Sequence, residues 1–492
     1  MLSVSIYQFI KLILKIDMNR YVIGIDTGGT FTDGVLLHYG TRKVVSAAKS
    51  LTTRDDLKKG VIKVLKKLDI KEDYNIKLVG ISSTLATNSV AEGKARKVGL
   101  ILIGYDKDLV ESYGLIDKLS TRELAFFQGG HNAQGAEANP LDKSAISKWV
   151  QDNKDKVDAI AISSYFSPLN PEHEEKAFNI VQEHSDLPVV MAHQLSTKLD
   201  SIKRAATASI NASLVAVMQD FIQAVQYSLK DLGIEAPLMI VRGDGTLMPY
   251  TEAVKKPVET VLSGPAASAI GGRFLSNNGS SLVIDVGSTT TDMALVKDSR
   301  VVISEEGAKV GNTETAVEAA KIRTLSIGCD SRIGYNEKKE LTVGPDRVRA
   351  LSQMAMHHEH VAEEIRNLNK GTFIKQNPFD TEYWYLHRPL EEEIFNSLSD
   401  KQKKVVELIQ EPISLSDLMK KMGVFHPSHL SMGDFIQQGK LECASLNPSD
   451  LLHVEGAMDM WDRETAKAAT DYYCNIYRTN RKDFIKSVFD KF

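Results

Sequence analysis

Apolar and polar positions alternate in a regular way from residue 21 onward. Across residues 21–50 an apolar YVIGI run, a glycine-rich break, GVLLHY and KVVSAAKS follow one another, the pattern of strands joined by a tight turn. The period then changes. Leu57, Val61, Val64, Leu65 and Leu68 recur at three- and four-residue spacing with lysines between them, which predicts a helix over residues 53–68. A strand at 77–81, the polar stretch STLATNSVAEGKA and a strand at 98–103 come next. A helix at 141–153, the strand DAIAISS, the helix PEHEEKAFNIVQEH and the strand LPVVMA continue the alternation, which predicts an α/β layer fold.

A helix rich in small residues, over about residues 203–232, leads into PLMIVRGDG, VETVLSGPAASAIGG and the strand SSLVIDVG. Beyond about residue 351 the chain is rich in His, Glu, Lys and Asn and shows only helical patterns. At 492 residues it exceeds one hydrophobic core, and roughly three domains are expected. The divisions fall at an extension over 1–17, a first domain over 18–200, a second over 201–350 and a helical region over 351–492.

Composition narrows the class. With 42% apolar and 25% charged residues the chain reads as soluble and globular. A net charge of −4 without any basic block offers no footprint for nucleic acid or an anionic membrane. Cys329, Cys443 and Cys474 are far apart, which argues against a disulfide framework or a zinc site and places the protein in the cytoplasm. The opening MLSVSIYQFIKLILKID is interrupted by Lys11 and Lys15, is too short to span a bilayer and lacks a small-residue cleavage site. Met18 stands just before the first strand, so residues 1–17 are set aside as an extension.

The strongest signal is internal. Asp26-Thr27-Gly28-Gly29-Thr30-Phe31-Thr32-Asp33 and Asp285-Val286-Gly287-Ser288-Thr289-Thr290-Thr291-Asp292 share Asp, Gly, Thr, Thr and Asp at the same five offsets, half a chain apart. Each follows one apolar strand and precedes another, the mark of a duplicated domain. Glycine lets backbone N–H groups approach phosphate oxygens, and Thr or Ser hydroxyls add donors without bulk. An Asp at the strand end, Asp26 or Asp285, holds magnesium through water or orients an attacking group. Two such turns facing each other would grip a nucleotide's phosphates from both sides.

Other residues carry weaker signals. Ser263, in SGPAA, has no His/Asp partner arrangement, and small residues at a helix start suit close packing or phosphate binding better than nucleophilic catalysis. His357, His358, Glu359 and His360 could form a surface metal site, but such a run is more often a solvated helix face. Residues 398–452 read as helix, turn, helix and short hairpin, a winged-helix-like pattern; PSHLSMGDFIQQG lacks any Arg or Lys for bases or phosphates, so packing against the body or a partner is expected.

Several blocks occur in an order that resembles the hydantoinase/oxoprolinase family, on the actin-like ATPase (ribonuclease-H-like) fold. They are IGIDTGGTFTD, STLATNSVAEGKARKVGLI, SPLNPEHEE, RGDGTLMPYTEA, KPVETVLSGPAASAIGG and VIDVGSTTTDMAL. TLSIGCDSRIG, VGPDRV and SLNPSDLLHVEGAMDMWDRETA extend the resemblance to about residue 475. It implies two actin-like domains, over 18–200 and 201–350, before the helical region. Two positions depart from the family pattern: Ser288 and Cys329 stand where paired glycines are usual.

The resemblance implies an ATP-binding, A-type subunit that uses Mg2+ and hydrolyses a cyclic amide such as a hydantoin or 5-oxoproline, with a separate B-type subunit as partner. Asp26, Asp285 and Asp292 would be catalytic, the first two also holding metal. Thr27, Gly28, Gly29, Thr30, Gly287, Ser288, Thr289 and Thr290 would hold the phosphates, and Gly328 and Asp330 would lie by the nucleoside. Thr84 and Asn88 would line the substrate cleft, although a helix N-cap at Ser83 or Thr84 accounts for the same residues. Arg242 and Asp244, at a strand's carboxyl end, fit a small-molecule substrate contact or an ion pair that fixes a loop. Readings on the same fold are a carboxylase subunit that phosphorylates a ketone enol, a small-molecule kinase, and a nucleotide-binding regulator.

Overall fold

The first motif lies between two strands whose buried positions are apolar at Tyr21, Ile23, Ile25 and Leu36 and become threonine at the turn, Thr27 and Thr32. In the computed structural model β1 (Arg20–Thr27) and β2 (Phe31–His38) pair antiparallel, with Asp26 opposite Asp33 and Thr27 opposite Thr32. The structure describes residues 19–492 apart from 29–30, 53–56, 92–94, 113, 120, 122, 277, 312, 337, 339, 371–376, 387–388 and 438–439. Gly29, Thr30 and the 1–17 extension therefore lie outside the described residues. The chain divides into two compact units, Met1–Ile284 with Met293–Arg323, and Asp285–Asp292 with Thr324–Phe492.

In the first unit, β3 (Val44–Leu51) extends the hairpin, and β4 (Asn75–Ser83) lies parallel to β1 on its other side. With two further strands, Leu238–Val241 and Leu247–Pro249, they form a six-stranded sheet in the order 247–249, 238–241, β4, β1, β2, β3. Val61 and Leu65 of the Leu57–Lys67 helix pack on Ile23, Ile25 and Leu36 beneath it. This helix sits so close to β2 that a Cβ on Gly34 would stand 2.2 Å from Val64 Cγ1. Gly34→Ala is therefore expected to destabilise this unit by about 1–2 kcal/mol in denaturant unfolding, the cost of overpacking a tight core.

A second sheet, all parallel, is built from β5 (Val98–Ile103), β6 (Leu124–Phe127), β7 (Ala159–Ser164) and β8 (Val189–Met191), in the order β6-β5-β7-β8. Every residue of β5 and β7 is buried, so β5 reads as a continuous apolar run and β7 as one that ends in two buried serines, Ser163 and Ser164. The Ser201–Asp231 helix serves both sheets. Its Ala205, Ala206, Ala208 and Ala212 lie against the second, and its Met218, Phe221, Ile222 and Val225 against the first. Small residues at one end let the helix backbone approach β7 closely. By length and apolarity this helix could cross a membrane, but 72% of its most apolar window is buried inside the structure.

The second unit holds the tip of the second hairpin, whose strands are Ser281–Val286 and Thr291–Lys297. It also holds the strands Ser331–Tyr335 and Leu341–Arg347, which pair antiparallel. Helices follow, as the pattern beyond residue 351 predicts, but not helices alone. The strand Tyr383–Leu386 runs between Ile413–Ser414 and Leu441–Ala444. Tyr383 and Tyr385 enter one core while Trp384 and Leu386 enter another. Burial on both faces removes the apolar–polar alternation by which a strand is recognised. The helices Asp400–Leu408 and Leu415–Met422 close over Trp384 and Leu386, but no hairpin follows them among the described residues: Gly433–Gln437 is helical, and Leu441–Ala444 pairs with the distant strand Tyr383–Leu386.

Candidate nucleotide and substrate site

Asp26 ends β1, half-buried, and its Oδ1 accepts a hydrogen bond from Ser82 Oγ at 2.6 Å. Ser82 stands opposite it because β1 and β4 run parallel in that register. The Thr27 carbonyl accepts from Thr84 N at 3.1 Å and from Thr84 Oγ1 at 3.4 Å, and Asn88 Nδ2 donates to Thr84 Oγ1 at 3.1 Å. Ser83, whose Oγ accepts from Leu85 N at 3.0 Å, caps the Leu85–Ala91 helix. The strand-to-helix stretch is thus pinned directly beside Asp26.

The Ser263–Ser276 helix begins at the same place. Ser263 is buried; its Oγ donates to Ser83 O at 3.0 Å and accepts from Ser83 N at 3.3 Å. That hydroxyl latches a helix to a strand, which removes it from consideration as a nucleophile. A Cβ on Gly264 would stand 3.4 Å from Thr84 Cγ2 and 4.0 Å from Asp26 Oδ1. A helix N-terminus beside a strand-end carboxylate favours negative charge there. Sequence reasoning missed Ser82, and it read the helix start at Ser263-Gly264 only as close packing or phosphate binding. The parallel pairing of β1 with β4, once inferred, would have pointed to Ser82.

Gly28 N donates to Phe31 O at 2.9 Å, closing the first turn, and Gly287 N donates to Thr290 O at 2.8 Å, closing the second. A Cβ on either glycine would stand 3.0 Å from the accepting carbonyl. The two turns share this closing bond as well as their sequence pattern. The second, Gly287–Thr290, is a glycine-led loop of the kind that fits a phosphate, and the Thr27 hydroxyl, buried without a hydrogen-bond partner among the described residues, is a spare donor beside Gly28.

In the second unit the turn is held from behind. Cys329 N donates to Gly287 O at 3.0 Å, Asp330 N to Ser288 O at 2.7 Å, and Thr291 Oγ1 to Ile327 O at 2.9 Å. Gly328 N donates to Ser331 Oγ at 2.9 Å. A Cβ on Gly328 would stand 2.5 Å from Ser288 O and 2.7 Å from Thr289 C, so no side chain fits there. Asp292 accepts from Thr324 Oγ1 at 2.5 Å; burial, opposed by that bond and reinforced by the charge of Asp285, raises its carboxyl above the usual range. Burial pushes Asp330 up to about 6, against the pull of Arg347 and Arg349. Burial also raises the half-buried Cys329 thiol, with Asp330 adding to the effect, so this cysteine is kept protonated.

Arg242 and Asp244 are engaged with their own loop. Arg242 Nε lies 2.9 Å from Glu259 Oε2 and its Nη1 3.7 Å from Asp244 Oδ2, while Asp244 Oδ1 accepts from Thr246 N and Oγ1. His358 Nδ1 lies 3.4 Å from Glu411, and His360 Nε2 is 3.0 Å from Pro412 O. Among the described residues no group of three or more His, Cys, Asp or Glu is placed to hold a metal ion. A magnesium ion carried mainly by water and phosphate oxygens, with one carboxylate from a turn, is compatible with that.

Residues 22–185 match the family model of the hydantoinase/oxoprolinase N-terminal region, and residues 204–363 match that of hydantoinase/oxoprolinase. Caprolactamase subunit alpha from Pseudomonas jessenii is 27% identical over 66% of this chain and 50% of its own. The acetophenone carboxylase gamma subunit from Aromatoleum aromaticum is 28% identical over 57% of this chain and 43% of its own. The chain thus spans about half the length of these relatives or less. In structure it is similar to nucleotide-free acetone carboxylase, with a TM-score of 0.64 and 16% identity over 95% of this chain and 60% of that one, which shows an actin-like ATPase fold.

Proposed function

This chain belongs to the hydantoinase/oxoprolinase family, and from that premise we propose that it is the ATP-using, A-type subunit of a cyclic-amide hydrolase in the cytoplasm. The observation that carries the reading is the pair of turns closed by the same glycine-to-carbonyl bond, each next to a strand-end aspartate. A lactam resists water because amide resonance makes its carbonyl a poor electrophile. Bound magnesium-ATP would supply the γ-phosphoryl group that activates the amide oxygen, so that with one water the overall reaction releases ADP and inorganic phosphate and breaks the ring C–N bond to give the open-chain amino acid.

This chain's residues position and neutralise; they form no covalent intermediate. The amides at Gly28 and at Gly287–Thr290, with the Thr27, Thr30 and Thr289 hydroxyls, hold phosphate oxygens. Asp26 in the first unit and Asp285 in the second are each suited to holding magnesium or orienting the reacting oxygen, Ser82 bonds to Asp26, and Asp292 supports the second turn from the strand that follows it. Gly328 and Asp330 border the nucleoside. Thr84 and Asn88, next to Asp26, line the lactam side. A B-type subunit on a separate chain completes hydrolysis.

The chain mixed with that partner should release ADP at least about tenfold faster with a lactam of hydantoin, oxoproline or caprolactam type than without one, independently of bicarbonate. ADP release that requires bicarbonate and a ketone would establish the second reading, a carboxylase subunit acting on an enol. That reading is supported by the similarity to the acetophenone carboxylase subunit.

A further inference from the structure

The late NPSD…HVEG…W segment has no role in the reaction just described, yet it is among the most completely hydrogen-bonded parts of the second unit. Asn447, Ser449, Asp450 and His453 are all buried. Ser449 donates twice to the Cys329 carbonyl, from N and from Oγ, both at 3.1 Å. Asn447 Nδ2 donates to Val348 O at 3.1 Å, and Val348 N donates in turn to Asp330 O at 2.9 Å. Both ends of the Cys329–Asp330 dipeptide are therefore tied to one helix start, Pro448–Glu455.

That helix start is itself fixed. Asp450 Oδ1 accepts from Ser352 N at 2.9 Å and Ser352 Oγ at 2.6 Å, and its Oδ2 accepts from Leu351 N at 3.1 Å. One carboxylate thus caps the Leu351–Ala355 helix while its own backbone N donates to Asn447 Oδ1 at 3.1 Å. His453 Nε2 accepts from Met460 N and Trp461 N, so its proton sits on Nδ1 and is donated to Ser449 O at 2.7 Å. The ring stacks on Trp461 with centroids 5.0 Å apart.

We propose that Asn447 and Ser449 are positioning residues: they set the Cys329–Asp330 turn, and through its two bonds to Gly287 and Ser288 they set the phosphate-side turn and the affinity for nucleotide. Neither touches the nucleotide. The proposal rests on the reading that these turns hold ATP. A glycine at 329 would leave this turn looser than at most positions, and the cysteine already narrows its freedom. The double donation from Ser449 to the carbonyl of that same residue then fixes the peptide plane that presents the Asp330 amide to Ser288.

The test is titration calorimetry of the full chain with MgADP, beside its melting temperature, for wild type, Ser449→Ala, Asn447→Ser and Gly328→Ala. The hydroxyl introduced by Asn447→Ser still caps the helix but loses the tie to Val348, so this variant serves should Ser449→Ala fail to fold. Losing one buried hydrogen bond should weaken MgADP binding about fivefold in each clamp variant, with melting shifted by only a few degrees. Gly328→Ala should weaken it more. Unchanged affinity in both clamp variants overturns the proposal, and so does an affinity loss that merely tracks the loss of folded protein. If wild type itself binds no MgADP, the nucleotide reading fails; if Gly328→Ala alone weakens binding, that reading stands and the clamp falls.

Discussion

In the Asp26→Asn protein, ADP release falls about a hundred- to a thousandfold while the melting temperature stays within a few degrees of wild type. Asparagine keeps the size of the side chain, and its amide oxygen still accepts the bond that Ser82 Oγ now makes to Asp26 Oδ1. What is lost is the charge. A carboxylate at the end of β1 contributes to turnover through magnesium or through orientation of the reacting oxygen, and a neutral amide does neither. Asp26 is half-buried, and the Ser83–Ser263 and Thr27–Thr84 bonds that fix the surrounding loops do not involve it. Because the adjacent helix N-terminus favours the anion, its loss weakens an electrostatic feature and leaves the packing intact. MgADP affinity, measured on the same protein, should change less than turnover. Turnover within about fivefold of wild type would remove Asp26 from the chemistry and with it the central role given to the first turn.

How much of this was legible in the chain depends on sequence distance. The two turns were legible because everything that defines them lies within eight residues: strand, glycine, hydroxyls, aspartate and strand again. The groups that hold those aspartates were not. Ser82 reaches Asp26 only through the parallel register of two strands 56 residues apart, and Thr324 reaches Asp292 across 32. Ser449 grips Cys329 across 120 residues, so the late motif could be recognised without its purpose being visible. In sequence, Thr84 and Asn88 fit a cleft better than a cap, though a cap accounts for the same residues. The structure gives the cap to Ser83 and leaves Thr84 bonded to the Thr27 carbonyl, beside Asp26. The short strand Tyr383–Leu386 was hidden for a different reason, since both of its faces are covered and no polar residue marks a solvent side.

Asp330 provides the sharpest test that does not depend on turnover. Its carboxyl titrates at about 6 in the folded chain, against an ordinary value near 3.8, because burial penalises the charged form more than Arg347 and Arg349 relieve it. The sign follows from which state binds the proton more tightly. The folded chain does, so below about pH 4 the group is protonated in both states and costs nothing. Between about pH 4 and pH 6 the folded state holds a proton that the unfolded state has released. Above about pH 6 the full cost of a buried charge is present. Asp330→Asn removes that charge at nearly constant shape. The variant should therefore be more stable than wild type by about 1–3 kcal/mol at pH 8, the upper figure being the full linkage value and the lower one allowing for partial solvent contact. The gap should close toward zero at pH 4. Urea unfolding at the two pH values measures it, and a gap that is the same at both would mean that Asp330 is not held above its ordinary range. A native state that keeps a charge at this cost has a use for it other than stability. In the proposed reading that use is an acceptor beside the nucleoside, so the more stable Asp330→Asn variant should also bind MgADP more weakly at pH 8, stability and affinity moving in opposite directions.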